Sequence, residues 1–515
     1  MTDDGLLLAI DAGGSVVKAT LFEFAAGTSA TVARPVPLTH PAPGESERDP
    51  DALWRAAAEC VQELLADAQD APRRVSAVGL TAHGNGVYLV DSDGRPTRAA
   101  VMAADTRAAP LVRRWTADGL GESLQARSWN GLWAGQPGPI LAVLARTEPA
   151  ELAASYAAVS CKDYLWAQLT GVVETELSAA SAGALYDSAG WATGRSRLEV
   201  SEHAIEAFGL TRWQHLLLAP VASETTRPLT REAAEATGLL PGTPVIAGVV
   251  DNAAMQHGSG VLDSDTICIG AGTWSINQVL VPARQASEAA MSIRPNAANI
   301  ALGGMALLCE ASPTSASNLD WALNRAVRGA AIGDLAAGLD VYAARLQREG
   351  QRTRRLDDPM FLPFIDGSRA DSGARGAWVG LSSATGEDEL LGAVVEGICL
   401  EHRRHVDRLQ AALPRPLPVR LSGGATRSEQ WCQRFADILG VPVETSVVAE
   451  LGSVCVGAMA GVGAGVFTDV AAGVQVLNPR WRTHQPDSAR IEFEAARYAR
   501  YCALADHFDK LPWEA

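Results

Sequence analysis

Four short segments of this chain pair acidic or hydroxyl side chains with glycine turns, and each suggests a reaction component. Asp11-Ala12-Gly13-Gly14-Ser15 closes the apolar run Leu6–Ile10. A glycine turn between strands lets backbone N–H groups approach phosphate oxygens, and the Ser15 hydroxyl adds a donor. Asp11 would repel a phosphate directly, so its presence makes sense if Mg²⁺ stands between the two. Gly270-Ala271-Gly272-Thr273 repeats the glycine pattern without the carboxylate. Both turns would equally serve as plain tight hairpins. Asp251 follows the apolar run Val245–Val250 and precedes Asn252-Ala253-Ala254-Met255, which reads as a helix start. A helix N-cap uses Asp in this way, and so does a general base held at a strand end beside a crevice. Ser422-Gly423-Gly424-Ala425 joins a strand to the helical stretch 429–439. A purine lies readily against such a turn because no side chain blocks it, although a simple strand–helix connection has the same composition.

These segments need strands that end in turns, and the surrounding pattern supplies them. Leu6–Ile10 and Val16–Phe22 form a hairpin signal, Val75–Leu80 and Val87–Val90 read as strands, and Asp51–Gln69 carries apolar residues at helical spacing behind Asp49-Pro50. The alternation continues, which predicts an α/β architecture. The text Ala9–Ser15 overlays Cys268–Trp274 at about half the chain length, as a duplicated α/β domain would, with ligands between the copies. The boundary is expected near Gly248, giving domains 1–248 and 249–515.

Composition removes whole classes of function. The chain has 515 residues, a net charge of −16 and only 20% charged residues. Such acidity argues against nucleic acid and against an anionic membrane surface. Lys occurs only at positions 18, 162 and 510, none after a Gly, so the P-loop Gly-Lys-Ser/Thr is absent. Gly84-Asn85-Gly86 lacks the third glycine of a dinucleotide fingerprint. The eight Cys include no Cys-x-x-Cys pair, which excludes the common zinc patterns and predicts a reducing, cytoplasmic location. The uncharged stretch Leu451–Phe467 is built of Gly, Ala and Val and predicts a buried small-residue helix. The tail's Tyr498, Tyr501 and Leu504 share a helical face.

In order along nearly the whole chain, these segments resemble the FGGY carbohydrate kinases of the actin/hexokinase-like ATPase superfamily. Asp11–Lys18 resembles the first phosphate motif, Cys161-Lys162-Asp163-Tyr164-Leu165 with Leu169-Thr170-Gly171 the "KDYL…LTG" stretch, and Ala247–Ala254 the segment of the catalytic Asp. Gly270–Thr273 is similar to the second phosphate motif, Phe361-Leu362-Pro363 through Ala374-Arg375-Gly376 to the "FLP…ARG" block, and Ser422–Ala425 with Phe435–Gly440 to the adenosine motif. The resemblance implies two actin-like (ribonuclease H-like) ATPase domains, α/β in class, with a catalytic cleft between them. It implies ATP and Mg²⁺, a sugar or polyol acceptor, and a possible homodimer.

Residue by residue, the resemblance makes Asp251 the base and Asp11 the metal organiser. It assigns Gly13, Gly14, Ser15, Lys18, Gly272 and Thr273 to phosphates, and Gly423, Gly424, Ala425 and Ser428 to the adenosine. Gly84, Asn85, Asp105, Trp133, Asp251 and Asn252 would line the sugar site. Asn85 takes the position of the xylulose kinases' usual His, and Ala103 stands where an aromatic is common. Leu132–Pro137, Lys162-Asp163-Tyr164 and Glu310–Thr314 are most similar to the L-xylulose and 3-keto-L-gulonate kinase branch, with erythritol kinases the near competitor. A sugar sensor would need neither Asp11 nor Asp251, and an actin-like or chaperone-like ATPase would need neither Asp105 nor Asp251.

Overall fold

A computed structural model describes residues 5–24, 26–66, 70–326, 354–369, 373–411, 413 and 415–513. The chain divides into two compact units, each assembled from separated segments. The first takes residues 1–263, 280–308 and 450–479; the second takes 264–279, 309–449 and 480–515.

In the first unit the opening hairpin forms as its alternating pattern requires. Leu6–Ala12 pairs antiparallel with Val16–Glu23 and parallel with Val75–Ala82. The six-stranded sheet runs Thr28–Pro35, Val16–Glu23, Leu6–Ala12, Val75–Ala82, Pro244–Ile246, Thr226–Pro228. Helix Pro50–Ala66 buries Leu53, Ala57, Val61 and Leu64 in a core shared with Leu8, Ile10, Val78 and Leu80. Positions 67–69, the end of the expected helix, lie outside the described residues.

The uncharged stretch forms the expected buried helix, Leu451–Gly463. It packs on Leu6–Ala12 and Val75–Ala82. Its small residues are needed because backbones meet there: a Cβ on Gly79 would lie 2.0 Å from the Val456 carbonyl oxygen. Among the described residues, no helix is long and apolar enough to cross a membrane. All eight Cys are free, seven of them buried.

The second unit repeats the local plan. Ile267–Ala271 pairs antiparallel with Ser275–Pro282 and parallel with Val419–Ser422, which continues through Val443–Ser446 to Trp481–His484. The suspected internal repeat is therefore a repeat of topology: strand, glycine turn, antiparallel return, then a parallel neighbour that ends in a second glycine loop. Ala12 and Ala271 occupy equivalent last positions, which puts Gly270 where the first copy has Asp11. The expected strand before Asp251 is shorter than its apolar text: pairing ends at Ile246, and residues 247–250 run on without a partner strand. The tail forms helix Ile491–Phe508, with Tyr501 buried.

Candidate active site

The first unit gathers Asp11, the Gly13–Ser15 turn, the 83–86 loop and Asp251 at neighbouring strand ends. Asp11 lies in the last strand turn opposite Lys18. Burial and the negative charge of Asp251 raise its pKa to about 7, against a smaller lowering by Lys18. Lys18 itself pairs with Glu450 at 2.7 Å. Its expected service to a phosphate is thus already taken by a carboxylate that the sequence did not mark.

Asp251 opens helix Asp251–Gly258, whose N-cap is Val250. The N-cap reading of Asp251 is corrected by one position. Its Oδ1 accepts the Asn252 N–H at 2.8 Å, and the nearby Gly84 N–H helps to lower the pKa of the carboxyl. Water reaches the side chain, yet protein surrounds it closely enough that burial raises its pKa to about 6, against those two N–H groups. A carboxylate poised near neutrality suits proton abstraction.

A buried relay fixes the position of this residue. Lys162 Nζ lies 2.6 Å from Asp163 and 3.4 Å from Glu176, all three fully buried. Glu176 receives the Ser178 hydroxyl at 2.7 Å, and Ser178 accepts the Val250 N–H at 3.0 Å. From the other side, Asn299 donates to the Asn252 side-chain oxygen at 2.9 Å. That oxygen also accepts the Ala253 N–H. These supports were missed because Ser178, Glu176 and Asn299 lie in stretches with no motif.

The 83–86 loop departs from Val75–Ala82 directly beside the first turn, with the His83 N–H on the Ala12 carbonyl. Asn85 and Gly86 both hold positive φ, 61° and 72°, a pair that Asn-Gly tolerates. The Asn85 side-chain oxygen is buried without a hydrogen-bond partner. The Gly86 N–H bonds the Gly135 carbonyl at 3.1 Å, which brings the Trp133 loop alongside. Gly84, Asn85, Trp133, Asp251 and Asn252 are therefore associated. Asp105 is not available as a ligand. It is 1% exposed, one oxygen takes the Ser46 N–H, and both take Arg107 donors. It braces Arg107, whose guanidinium also reaches Glu47 at 2.7 Å.

In the Gly13 turn the Gly13 N–H is spent on the Val16 carbonyl at 2.9 Å. The amides of Gly14 and Ser15 donate to no protein acceptor among the described residues, and both residues are exposed. Of the expected Gly13, Gly14 and Ser15, the last two therefore keep amides open to a ligand. Two raised carboxylates in mutual electrostatic reach, Asp11 and Asp251, fit a hydrated divalent cation, which both would welcome. No group of three or more acidic, His or Cys side chains among the described residues would hold an ion alone, so water and a ligand's oxygens would complete its shell.

The raised pKa of Asp11 makes a stability prediction. Its folded value of about 7 lies above its ordinary 3.8. The contribution to stability is therefore complete below pH 3.8 and lost as pH rises through 7. In metal-free buffer, Asp11→Asn should melt about 10 °C above the parent protein at pH 8, the response of a large domain to roughly 4 kcal/mol. Near pH 4 the two should coincide. A melting difference that ignores pH would discard this account.

In the second unit Gly272 and Thr273 lie in an exposed turn whose carbonyls accept the Ala316 and Ser317 amides at 2.9 and 3.4 Å. Gly423 is required by both backbone and space. Its φ is 90°, and a Cβ would lie 2.6 Å from the Ala271 carbonyl oxygen. A Cβ on Gly424 would meet nothing within 4 Å, which is the open face a flat ligand needs. Ala425 is fully buried and presents nothing to a ligand. The Ser428 hydroxyl caps helix Glu429–Leu439 through the Trp431 N–H. Trp274, 48% exposed beside Thr273, was passed over, although an aromatic inside a glycine turn was the available signal.

Residues 6–258 match the FGGY family of carbohydrate kinases, N-terminal domain, and residues 268–463 the C-terminal domain of that family. The chain is 30% identical over 497 residues to the L-xylulose/3-keto-L-gulonate kinase of Escherichia coli (strain K12), covering 96% of this chain and 95% of that protein. It is 30% identical over 533 residues to the erythritol kinase of Brucella abortus (strain 2308), covering 98% of each. The ligand-bound xylulose kinase structure from Lactobacillus acidophilus shares the fold, with a TM-score of 0.86 at 18% identity over 98% of this chain and 99% of that one.

Proposed function

We propose, from the premise that this chain belongs to the FGGY family of carbohydrate kinases, that it phosphorylates a five-carbon ketose of the L-xylulose type, with ATP as donor and Mg²⁺ as its accompanying cation. The enzyme is a phosphotransferase acting on a sugar or polyol hydroxyl. The observation that carries the proposed site is the Asp251 carboxylate at the start of its helix, held by the Asn252 N–H behind the Ser178-anchored Val250 and pushed by burial toward neutrality.

In this reading Asp251 takes the proton of the acceptor hydroxyl as that oxygen bonds to the γ-phosphorus. The bond to the β–γ bridging oxygen breaks, and ADP leaves. Phosphoryl transfer asks mainly for alignment and charge neutralisation. The Gly14, Ser15, Gly272 and Thr273 turns supply amides for phosphate oxygens, while Gly423 and Gly424 leave a flat face for the purine. Asp11 would hold the metal through water, and the metal neutralises phosphate charge when bound. Asn85, Asn252 and the Trp133 wall would contact the sugar, with Asp105 and Arg107 as support. The expected division would give the sugar function to residues 1–248 and the nucleotide function to 249–515. Eight free cysteines suit a reducing cytoplasm, and a homodimer is the assembly to look for.

A polyol acceptor is the second reading, supported by the equal 30% identity to the erythritol kinase. A coupled ADP-release assay with Mg-ATP separates them across L-xylulose, 3-keto-L-gulonate, D-xylulose, D-ribulose, L-ribulose, erythritol, L-erythrulose and glycerol. A kcat/KM advantage of at least tenfold for a pentulose is expected. Preference for erythritol would move the assignment to polyols, and silence on every compound by folded, ATP-binding protein would favour a sugar sensor.

A further inference from the structure

We propose that Arg48 is a positioning residue for phosphoryl transfer: it ties back the carbonyls of Gly13 and Gly14, turns the next amides outward, and stands behind them as a buried charge that the nucleotide's phosphates balance. The inference rests on the kinase reading above. Arg48 is 0% exposed. Its Nη2 donates to the Gly13 carbonyl at 3.1 Å and to the Gly14 carbonyl. Its Nε and Nη1 have no hydrogen-bond partner. Among the described residues, no carboxylate forms an ion pair with it, whereas Lys18, on the strand that follows the Gly13 turn, is neutralised by Glu450.

A buried, uncompensated guanidinium is costly. Around it the structure offers neutral groups: the two carbonyls, Tyr88, Cys161 and His83, whose pKa is lowered to about 4 by burial and then by Arg48. An anion arriving at the exposed amides of Gly14 and Ser15 would supply the missing charge. The second unit makes the comparison informative. There the equivalent carbonyls, on Gly272 and Thr273, are tied back by the Ala316 and Ser317 amides. The same geometric task is done twice, once by neutral backbone donors and once by a full cation. The cation stands in the copy that also carries Asp11 and Asp251, the two carboxylates whose repulsion of phosphate needs offsetting.

Two variants separate charge from scaffolding. Arg48→Gln keeps a donor for the carbonyls and loses the charge; Arg48→Lys keeps the charge with a poorer fork. Isothermal titration with ADP and with the preferred sugar, alongside steady-state kinetics, is expected to show R48Q raising the ADP Kd and the ATP KM at least tenfold. Sugar Kd should stay within twofold, and R48K should lie between R48Q and the parent. An ADP Kd within twofold of the parent in folded R48Q, or equal losses for ADP and sugar, would overturn the proposal. If R48Q does not fold, R48K decides: a two- to tenfold weaker ADP Kd with unchanged sugar affinity supports it, and no change or matched changes refute it. Sugar-dependent ADP release by the parent protein is measured first. Its absence would remove the kinase reading itself, while an active parent with unmoved variants removes only the role of Arg48.

Discussion

Asp251→Asn is expected to lower kcat about 10³-fold while leaving the KM for ATP and for sugar within about threefold, a loss near 4 kcal/mol of transition-state stabilisation. Asn keeps the side-chain oxygen that accepts the Asn252 N–H and the shape that packs on Gly84. It removes only the ability to take a proton. The parent enzyme should lose kcat/KM as pH falls through about 6, because the base must be ionised and its pKa has been raised to that value by burial. The variant's residual rate should lack that inflection. Turnover within tenfold of the parent, or a coequal rise in both KM values, would take Asp251 out of the role of base and leave it a structural residue.

The second large effect lies away from the reacting atoms. Lys162→Met should destabilise the protein by roughly 3–5 kcal/mol, the usual cost of leaving buried charge unpaired. For a domain of this size that is a melting shift of about 6–20 °C. Burial lowers the Lys162 pKa, but Asp163 and Glu176 together raise it above its ordinary value, so the ammonium is held charged. Without it two carboxylates share a dry site, and Glu176 is the residue that holds Ser178 and through it the Val250 N–H. The variant should therefore lose kcat below its melting temperature as well. Lys510→Met, in the partly exposed tail, is the control and should move melting by less than about 1 °C. Equal melting curves for the two variants would mean that the relay carries no energy worth the name.

These two residues illustrate different degrees of legibility. Asp251 was visible because a carboxylate directly behind an apolar strand is an unusual place for a surface residue. Lys162 was visible as part of a motif, yet nothing in Cys161–Leu165 indicates that its ammonium is fully buried. Arg48 was not visible at all. It sits in a charged run, Glu45–Asp51, that reads as a solvated approach to a helix, and in the fold that run becomes a two-residue strand paired with Ala100–Val101. Asp105 misled in the opposite direction. Its type suits a hydroxyl acceptor, but its oxygens are consumed by Ser46 and Arg107.

By itself the amino-acid order determined the α/β alternation, the two glycine turns and their repeated context, the buried helix 451–463 and the family, because each depends on local backbone preference or on the period of apolar residues. Only the tertiary structure decided which groups of those turns remain open to a ligand. Gly13 gives up its amide and Ser15 keeps one, Lys18 is neutralised by a residue 432 positions away, and Arg48 is not. Hydrogen-bond donors and charges are allotted by through-space neighbours, and long-range pairing, unlike periodicity, leaves no trace in spacing along a single chain.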